Sequence, residues 1–326
     1  MEPIIFRPIP MERVWGGRHL ETLHGKMLPP GVPVGELWEV VDRADAQSIV
    51  ATGALEGVSL HELWASHRVD IFGKDYVASP AVRFPLLVKL LDATDKLSVQ
   101  VHPPQGKAVE LGGEPKTEAW YFLECLPEAS IYAGLKRGVT RPEFEALLES
   151  GGVEGALHEI PVATGESIFI PSGRLHAIGA GNVIIEIQQN SDTTYRVFDW
   201  NRKGLDGKPR DLHIRESMAS IDFEDFEPEV ARASEPVVAD CEFFRVEKVL
   251  LDASREVRPA GRFALCVSTD FEVGCGSRVF ARGQFFLIPA GAEGLQVRPA
   301  GRPATVLVCT LPARASFLLG EDSAKN

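Results

Sequence analysis

The chain has 326 residues, of which 44% are hydrophobic, and a formal net charge of −12 at pH 7. This length exceeds one small domain and predicts two domains or one large two-layered unit with a sizeable core. The acidic balance argues against nucleic acid as the main partner, and no apolar run approaches the roughly 20 residues that a membrane span needs.

Two features bear on the cellular compartment. The first residues, Met1-Glu2-Pro3-Ile4, contain no basic stretch followed by an apolar one, so we expect no signal peptide and a cytoplasmic protein. The five cysteines form no Cys-x-x-Cys pair, and most of them have apolar neighbours. This pattern predicts reduced, mostly buried thiols and argues against a cysteine-based metal site.

Short apolar segments rich in Val, Ile and Phe alternate with glycine- and proline-containing turns, which is typical of a β-sandwich or barrel. Two segments carry helix signals instead. Ser59 is a good N-cap with Glu62 at the third helical position, and Pro142 fits a first turn that Gly151 would terminate. In chain order, the predicted elements are a helix after Ser59, strands at 86–91 and 121–123, a helix at 141–148, and strands at 167–170, 183–187, 243–249, 285–288 and 305–309.

One pattern occurs twice, at residues 165–173 and 283–291. Each copy contains a glycine turn, an apolar strand and a Pro-x-Gly turn, although Gly and Pro are common enough for a chance match. As a repeat, it predicts a mainly β fold with two related β-barrels in tandem and a few helices. We place the domains at 1–232 and 233–326, because Glu, Pro, Ala and Ser interrupt the pattern between 231 and 238. The tail from Gly320 to Asn326 is expected to be frayed.

The two copies of this pattern differ in the residue at one position beyond the Pro-x-Gly turn. His176 comes three residues after the first copy, and Gly294 comes three residues after the second. If the barrels are related, the first carries a metal ligand at this position and the second lacks one.

A predicted strand around residue 100 has one polar face. Alternation places Ser98, Gln100 and His102 on one side and two valines on the other. Inside a barrel, such a face needs hydrogen bonds or a metal. On these residues alone, a solvent-exposed polar face is the simpler interpretation.

Two more potential ligands come from other strands. Glu118 opens an apolar strand, and His176 follows a Pro-x-Gly turn. With Gln100 and His102 they supply two imidazoles, one carboxylate and one amide oxygen. This donor set suits Zn²⁺ or a similar divalent ion and leaves a position for substrate or water.

A third polar segment comes after the strand at 183–187. Alternation places Glu186 and Gln188 on one face, and Asp192 and Arg196 come soon afterwards. An arginine near a metal could neutralise developing negative charge or bind a phosphate. A structural Asp–Arg ion pair is the alternative interpretation.

Together these segments resemble the type I mannose-6-phosphate isomerase family, strongly so over roughly residues 1–215. The resemblance is carried by residues 85–103, Lys116-Thr117-Glu118-x-Trp120-Tyr121, the Pro-x-Gly-x-x-His turn ending at His176, and Ser191-Asp192-x-x-x-Arg196. It implies a pair of cupin-type jelly-roll barrels and interconversion of mannose 6-phosphate and fructose 6-phosphate through a cis-enediol. It also implies one Zn²⁺ per chain, with the ligands Gln100, His102, Glu118 and His176.

The resemblance implies further roles for polar residues. Arg196 falls on the family's catalytic arginine, and Lys89, Lys116, Glu186 and Asp192 match other positions lining that active site. The base that shuttles the proton stays open between Asp192, Glu186 and Lys116. Lys89 and Ser98 are assigned to substrate binding, with Lys89 and Lys116 as candidates for holding the phosphate or opening the sugar ring.

Two other classes of protein remain open on the residues alone. A two-barrel metal oxygenase could use iron with two His and one carboxylate, but Gln100 and the nearby Lys and Arg favour a sugar phosphate. A non-catalytic sugar-binding or regulatory cupin is opposed by the complete ligand set and Arg196. The expected partner is a small sugar phosphate, and the expected oligomeric state is a monomer or homodimer.

Overall fold

The computed structural model describes residues 1–312 and is mainly β. The tail predicted to be frayed, from Gly320 to Asn326, lies outside the described residues. The strands are β1 (Ile9–Gly17), β2 (Val34–Val40), β3 (Leu86–Ala93), β4 (Val99–Val101), β5 (Glu118–Cys125), β6 (Ser130–Leu135), β7 (Leu157–Pro161), β8 (Ser167–Ile170), β9 (His176–Ile178), β10 (Asn182–Gln189), β11 (Tyr195–Phe198), β12 (Val237–Asp240), β13 (Arg245–Leu251), β14 (Ala264–Ser268), β15 (Val273–Cys275), β16 (Arg278–Phe280), β17 (Phe285–Ile288), β18 (Val297–Pro299) and β19 (Ala304–Thr310).

The helices are few and short, as predicted. They are α1 (His19–Thr22), α2 (Leu60–Ser66), α3 (Gln105–Ala108), α4 (Arg141–Ser150) and α5 (Ile214–Ser220), with single turns at Arg68–Phe72, Lys74–Tyr76 and Val153–Ala156. The Ser59 side chain accepts a hydrogen bond from the Glu62 N–H at 3.1 Å, which confirms the predicted cap of α2. Helix α4 ends at Gly151, where φ is 76°. Within residues 1–312, no helix is long and apolar enough to cross a membrane.

The strands form four sheets. We call the sheets β1-β2-β3-β10-β5-β8 and β11-β4-β9-β6-β7 the first sheet pair, and the sheets β12-β13-β19-β14-β17 and β16-β15-β18 the second sheet pair. In each pair, one apolar cluster takes residues from both sheets, such as Phe122 and Ile131 in the first and Phe286 and Val297 in the second. The core of each pair therefore lies between two facing sheets, as in a jelly roll.

The second sheet pair repeats the strand order of the first. The order β3-β10-β5-β8 corresponds to β13-β19-β14-β17, and β9-β6-β7 corresponds to β18-β15-β16. The turns before β8 and β17 also match, since the N–H of Gly165 donates to Phe122 O at 2.9 Å and the N–H of Gly283 donates to Ser268 O at 2.8 Å. Strand β4, which carries Gln100, has no counterpart in the second pair within residues 1–312.

Strand pairing corrects one detail of the predicted repeat. His176 lies opposite Ala133 of β6, and Val297 lies opposite Cys275 of β15 in the same way. Gly294, the residue chosen by counting along the sequence, instead lies in an exposed turn with φ of 72°. Counting is misled because the connection before β18 is longer than the one before β9. The counterpart of His176 is therefore Val297.

The chain divides into two compact units whose bounds differ from the predicted domains. One unit comprises Pro10–Leu37 and Lys89–Ser234, and the other comprises Met1–Ile9, Trp38–Val88 and the described residues from Glu235 onward. Residues 1–9 and 38–88 thus group with the C-terminal segment rather than with residues 89–232. Within that second unit, the N–H of Ile4 donates to Leu287 O at 2.8 Å, and Phe72 packs edge-on against Phe263 with ring centroids 5.3 Å apart.

Candidate metal centre and active-site pocket

Three of the predicted ligands meet in the interior of the first sheet pair. His102 follows the last residue of β4, Glu118 is the first residue of β5, and His176 is the first residue of β9. All three are buried, and their potential ligand atoms lie within 4.8 Å of one another. Each histidine Nε2 lies 3.5 Å from a different oxygen of the Glu118 carboxylate.

Backbone carbonyls fix how the two imidazoles present their nitrogens. His102 Nδ1 lies 2.9 Å from Thr193 O, and His176 Nδ1 lies 2.8 Å from Arg174 O. A carbonyl oxygen only accepts hydrogen bonds, so each Nδ1 carries the proton and each Nε2 has a free lone pair. This carbonyl support is the usual arrangement around metal-binding histidines.

Gln100 completes the predicted set. It pairs with His176 across the β4–β9 contact, and its Nε2 lies 3.2 Å from His176 Nε2. A half-turn about the last side-chain bond exchanges the amide nitrogen and oxygen, and so places the oxygen beside the same imidazole. Gln100 can therefore offer a neutral oxygen to an ion held by the other three residues.

The polar atoms of this cluster fit a cation. Within residues 1–312, neither oxygen of Glu118 nor Nε2 of His102 has a hydrogen-bond partner, although Lys116 Nζ lies 3.0 Å from one of the oxygens. Buried polar atoms are rarely left in this state. Two neutral imidazoles and one carboxylate around a small space suit a divalent metal ion.

The electrostatics keep these groups in the protonation states that a metal requires. Burial, followed by the positive charge of Lys116, lowers the pKa of His102 to about 3, and burial also lowers the pKa of His176. Burial alone would raise the pKa of Glu118, but Lys116 and His102 outweigh it and hold that pKa well below its usual range. At neutral pH the imidazoles are neutral and the carboxylate is ionised.

A pocket of about 870 Å³ opens beside this cluster. The structure brings the other predicted site residues together on its wall. They are Lys89, Ser98, Gln100, Lys116, Glu186, Asp192 and Arg196. Asp192 is exposed, and no ion pair joins it to Arg196 within the described residues, so the structural Asp–Arg pair considered from the sequence is absent from residues 1–312.

One row of alternating charges crosses the floor of the pocket. Arg13 on β1 donates two hydrogen bonds of 3.1 Å to the Glu36 carboxylate on β2. Lys89 Nζ on β3 lies 4.0 Å from Glu36 and 3.0 Å from Glu186 on β10. The indole N–H of Trp120 on β5 donates to the other Glu186 oxygen at 3.1 Å. The row follows the strand order of the sheet, and its charges compensate one another.

This row shifts the protonation of its central pair. Burial, followed by the charge of Glu118, raises the pKa of Glu186 although Lys89 opposes the shift. Burial would lower the pKa of Lys89, but Glu186 and Glu36 outweigh it and raise that pKa. Lys89 is therefore a cation at neutral pH, and Glu186 is a weaker acid than an exposed glutamate.

Sequence reasoning missed several residues of the pocket. Arg13 and Glu36 lie within the part of the chain that the family resemblance covers, but no role was assigned to them. The same holds for Trp120, which does not line the pocket but donates a hydrogen bond to Glu186. The polarity of Glu36 within the buried strand β2 was the available signal. The loop from Gly204 to Asp211 also lines the pocket, and nothing in its composition distinguishes it from an ordinary surface loop.

Comparisons with known proteins identify the family. The family model for the catalytic domain of type I phosphomannose isomerase matches residues 7–121. Mannose-6-phosphate isomerase ManA of Bacillus subtilis is 36% identical over 304 residues, which cover 89% of this chain and 94% of that protein. Mannose-6-phosphate isomerase of Streptococcus mutans is 40% identical over 218 residues, 67% of each chain.

Solved structures show the same architecture. The crystal structure of the Bacillus subtilis mannose 6-phosphate isomerase aligns over 95% of this chain and 100% of its own, with a TM-score of 0.83 and 29% identity. A mannose 6-phosphate isomerase crystallised with zinc and yttrium aligns over 94% of this chain and 99% of its own, with a TM-score of 0.70 and 18% identity. At that identity, the second likeness concerns the fold alone.

The fold and site define a cupin-type protein with a candidate metal centre inside its first sheet pair. The relatives add the chemical class, which is that of the isomerases. The chain belongs to the type I phosphomannose isomerase family. The family and the isomerase class predicted from the sequence are thus confirmed, and the oxygenase and non-catalytic alternatives lose their support.

Proposed function

We propose that the chain interconverts mannose 6-phosphate and fructose 6-phosphate with one Zn²⁺ held by Gln100, His102, Glu118 and His176. The observation that carries this proposal is the buried cluster in which two neutral imidazoles direct Nε2 toward one ionised carboxylate. The names of the relatives supply the substrate, and the row of charges beside the cluster suits an anionic sugar. A location in the cytoplasm and a monomer or homodimer stay predictions.

The reaction moves a proton between C2 and C1 of the open-chain sugar through a cis-enediol. A bound divalent cation would supply polarisation of the carbonyl and hydroxyl oxygens of the substrate. The protein must add a base, a group that stabilises negative charge, and contacts that orient the chain of the sugar. All of these can come from the wall of the same pocket.

Glu186 is the residue that we assign to proton transfer. It is buried, it lines the pocket, and its raised pKa makes it a better base than an exposed carboxylate. Trp120 and Lys89 hold the two carboxylate oxygens in place. The other two candidates fit less well, since Lys116 is paired with Glu118 and Asp192 is exposed.

Arg196 is the residue that we assign to stabilising the enediolate. It lies on β11 opposite Gln100 of β4, so its backbone is fixed next to a proposed ligand. Its Nη1 donates to Asp211 O at 2.8 Å, while its buried Nε has no hydrogen-bond partner in residues 1–312. A free buried donor beside the reacting atoms can bind developing negative charge. Lys89 and Ser98 are proposed to contact the sugar hydroxyls.

The activity is tested with a coupled assay on mannose 6-phosphate, with and without EDTA, and with His102→Ala. We expect chelation to abolish turnover and added Zn²⁺ to restore it. The variant should lose both turnover and bound metal. Full activity together with stoichiometric zinc in His102→Ala would refute the assignment of the centre.

The base is tested by exchange of the C2 hydrogen with solvent. Glu186→Gln should slow the loss of tritium from [2-³H]mannose 6-phosphate by about 10²- to 10⁴-fold, the usual contribution of a general base. Asp192→Asn and Lys116→Met serve as comparison variants. Exchange that survives in Glu186→Gln and disappears in one of the others would move the role to that residue.

A further inference from the structure

Most cationic side chains on the pocket wall already have carboxylate partners. Lys89 is balanced by Glu186 and Glu36, Lys116 by Glu118, and Arg13 by Glu36. Three further cations lie at one end, where β11 and the loop after it meet the pocket. They are Arg196, Lys208 and Arg210. Within residues 1–312, two of them have no ion pair, and the third, Arg210, shares its carboxylate with another arginine.

Arg210 is held at this end by Asp199, the residue directly after β11. Its Nε donates to Asp199 Oδ2 at 2.7 Å, and its Nη2 donates to Asp199 Oδ1 at 2.5 Å. Asp199 is buried, with 6% of its side chain exposed. These bonds use Nε and Nη2 on one edge of the guanidinium. Nη1 makes no hydrogen bond within residues 1–312, and Arg210 lines the pocket.

Asp199 binds a second arginine that serves as an internal comparison. Arg202 donates to Asp199 Oδ1 from Nε at 3.0 Å and from Nη2 at 2.9 Å. Its Nη1 is directed to Asp95 and to the carbonyl of Lys96. Unlike Arg210, it does not line the pocket. One carboxylate therefore holds two guanidinium groups, and only Arg210 faces the cavity.

The loop between Trp200 and Arg210 is an ordered part of the pocket wall. Lys203 and Pro209 form a β-bridge, and the N–H of Gly204 donates to Lys208 O at 2.8 Å. The N–H of His213 donates to Arg196 O at 2.8 Å, and the N–H of Arg196 approaches His213 Nδ1 at 3.2 Å. The loop thus presents Lys208 and Arg210, and His213, three residues after the loop, anchors the strand that carries Arg196.

Asp199 is shared by two arginines. Asp206 and Asp211 also line this end of the pocket, but neither side chain forms an ion pair within the described residues. Arg196, Lys208 and Arg210 line the same end of the pocket, where their like charges repel one another. Lys208 makes no hydrogen bond or ion pair through its side chain within the described residues. An anion bound between these three side chains would remove this repulsion, and a phosphate dianion accepts the parallel hydrogen bonds that a guanidinium offers.

We propose that Arg210 and Lys208 form the subsite that receives the phosphate group of the substrate, and that Asp199 positions Arg210 for this contact. The inference rests on the proposed function and names a part of the pocket that decides between phosphorylated and free sugars. Arg196 lies opposite Gln100 on the neighbouring strand and lines the same pocket as Arg210, so it adjoins both the proposed metal site and the proposed subsite. Lys89 and Ser98 are left for the hydroxyl groups of the sugar.

The experiment measures KM and kcat for mannose 6-phosphate and the inhibition constant of inorganic phosphate in Arg210→Gln, Lys208→Gln and Arg202→Gln. Loss of a charge-assisted hydrogen bond predicts that Arg210→Gln raises KM and the inhibition constant about 10- to 100-fold, with kcat nearly unchanged. Lys208→Gln should raise both by up to about fivefold, as expected for an exposed charge. Arg202→Gln, the matched control, should leave both close to their original values.

The role of Asp199 is tested by Asp199→Asn, which should raise KM and the phosphate inhibition constant in the same direction as Arg210→Gln, again without lowering kcat. Arg210→Lys should bind phosphate better than Arg210→Gln, because lysine keeps the positive charge but lacks the two parallel N–H donors of the guanidinium. Equal phosphate inhibition constants in Arg210→Gln and Arg202→Gln would overturn the proposal. So would a fall in kcat with unchanged KM in Arg210→Gln.

Two controls distinguish a failure of the proposed phosphate subsite from a failure of the proposed isomerase function. Binding of inorganic phosphate, measured by calorimetry on the wild-type chain and on Lys208→Gln, tests the subsite without turnover. Lys208 is exposed, so its replacement leaves folding intact even if Arg210→Gln unfolds. A wild-type chain that binds phosphate but converts no mannose 6-phosphate would refute the proposed function and retain the subsite. An active chain whose phosphate binding is unchanged in both Arg210→Gln and Lys208→Gln would refute the subsite and retain the proposed function.

Discussion

The two sheet pairs place different side chains at equivalent strand positions. Glu118 of β5 lies opposite Ile170 of β8, and Ala264 of β14 lies opposite Ile288 of β17 in the same register. By the same pairing, Trp120 corresponds to Cys266, and Glu186 of β10 corresponds to Val308 of β19. His176 corresponds to Val297 in the same way. At these four positions of the candidate site, the second pair therefore has small or apolar residues.

This difference shows how one architecture supports two interiors. Ala264, Cys266, Val297 and Val308 all belong to the apolar cluster of the second pair. In the first pair the same positions hold a network whose charges are compensated by neighbours on adjacent strands, such as Lys89 beside Glu186. Burying polar groups costs free energy unless partners are present. In the first pair, buried polar groups with partners form the candidate site. In the second pair, the same positions belong to an apolar core.

The largest expected difference separates His176→Ala from Val297→Ala. The first removes a proposed ligand and should abolish turnover and metal binding while the chain stays folded. The second leaves a cavity in an apolar core and should lower the free energy of unfolding by about 2 kcal/mol, with activity retained. Assays, metal analysis and urea unfolding of both variants provide the measurement. Loss of activity in Val297→Ala would show that the second pair is not merely structural.

The next prediction moves a charge of the first pair into the second. Val308→Glu places a carboxylate at the position of Glu186 without a lysine or indole partner, and should lower the free energy of unfolding by about 3–5 kcal/mol at pH 7. Val308→Gln, which has the same size and no charge, should cost less. Urea titrations at pH 7 and pH 5 should show that Val308→Glu recovers part of the loss on acidification. Equal costs for the two variants would indicate that size, not charge, separates the interiors.

Acid should weaken the metal-free protein through the first pair. The pKa of His102 falls from the ordinary 6.5 to about 3 in the folded chain. Between these values the unfolded chain binds more protons than the folded one, so stability falls as pH drops. From pH 6.5 to pH 5 the loss from His102 should be about 2 kcal/mol. Urea unfolding of EDTA-treated protein measures this slope.

His102→Gln should reduce that slope, whereas substitutions in the second pair should leave it unchanged, since residues 235–326 contain no histidine. Glu118 contributes little in this window, because its carboxyl is mostly ionised above pH 5 in the unfolded chain as well as in the folded one. An unchanged slope in His102→Gln would contradict the burial argument.

The smallest expected effect tests whether the turns before β8 and β17 have the same backbone conformation. Gly165 and Gly283 have φ of 90° and 76°, where a side chain is strained. Gly165→Ala and Gly283→Ala should each cost about 1–2 kcal/mol. Both variants should keep their activity. Thermal or urea unfolding of the two variants checks the equality, and costs that differ by several kcal/mol would break the correspondence of the two turns.

The strands were the most predictable part of the fold. Both copies of the repeat, β8 and β17, have the bounds read from the sequence, because each is a run of apolar residues between a glycine and a proline. Short strands such as β9, β15 and β18 were not predicted. They contain three residues each, and pairing with neighbours, not local preference, makes them strands.

Within the candidate site, the sequence supplied the donor types and the alternation around Gln100, and the family resemblance selected the ligands. Sequence reasoning could not identify the Thr193 and Arg174 carbonyls that orient the imidazoles, because every residue has a backbone carbonyl. Sequence reasoning also missed the row of alternating charges from Arg13 to Trp120 and the hydrogen-bonded pair formed by Asp199 and Arg210. Each joins residues far apart in the chain or in a loop without a recognisable motif.

The sequence by itself determined the class of fold, the family and the donor set, since apolar periodicity, turn residues and motifs are local properties of the chain. The tertiary structure decided which polar residues face one another, which carboxylates are already balanced by cations and which cations remain available to an anion. These depend on strand order and register, which bring β1, β3, β5 and β10 together in one sheet although the chain visits them separately. Electrostatic compensation acts across those contacts, and it cannot be read from neighbours in sequence.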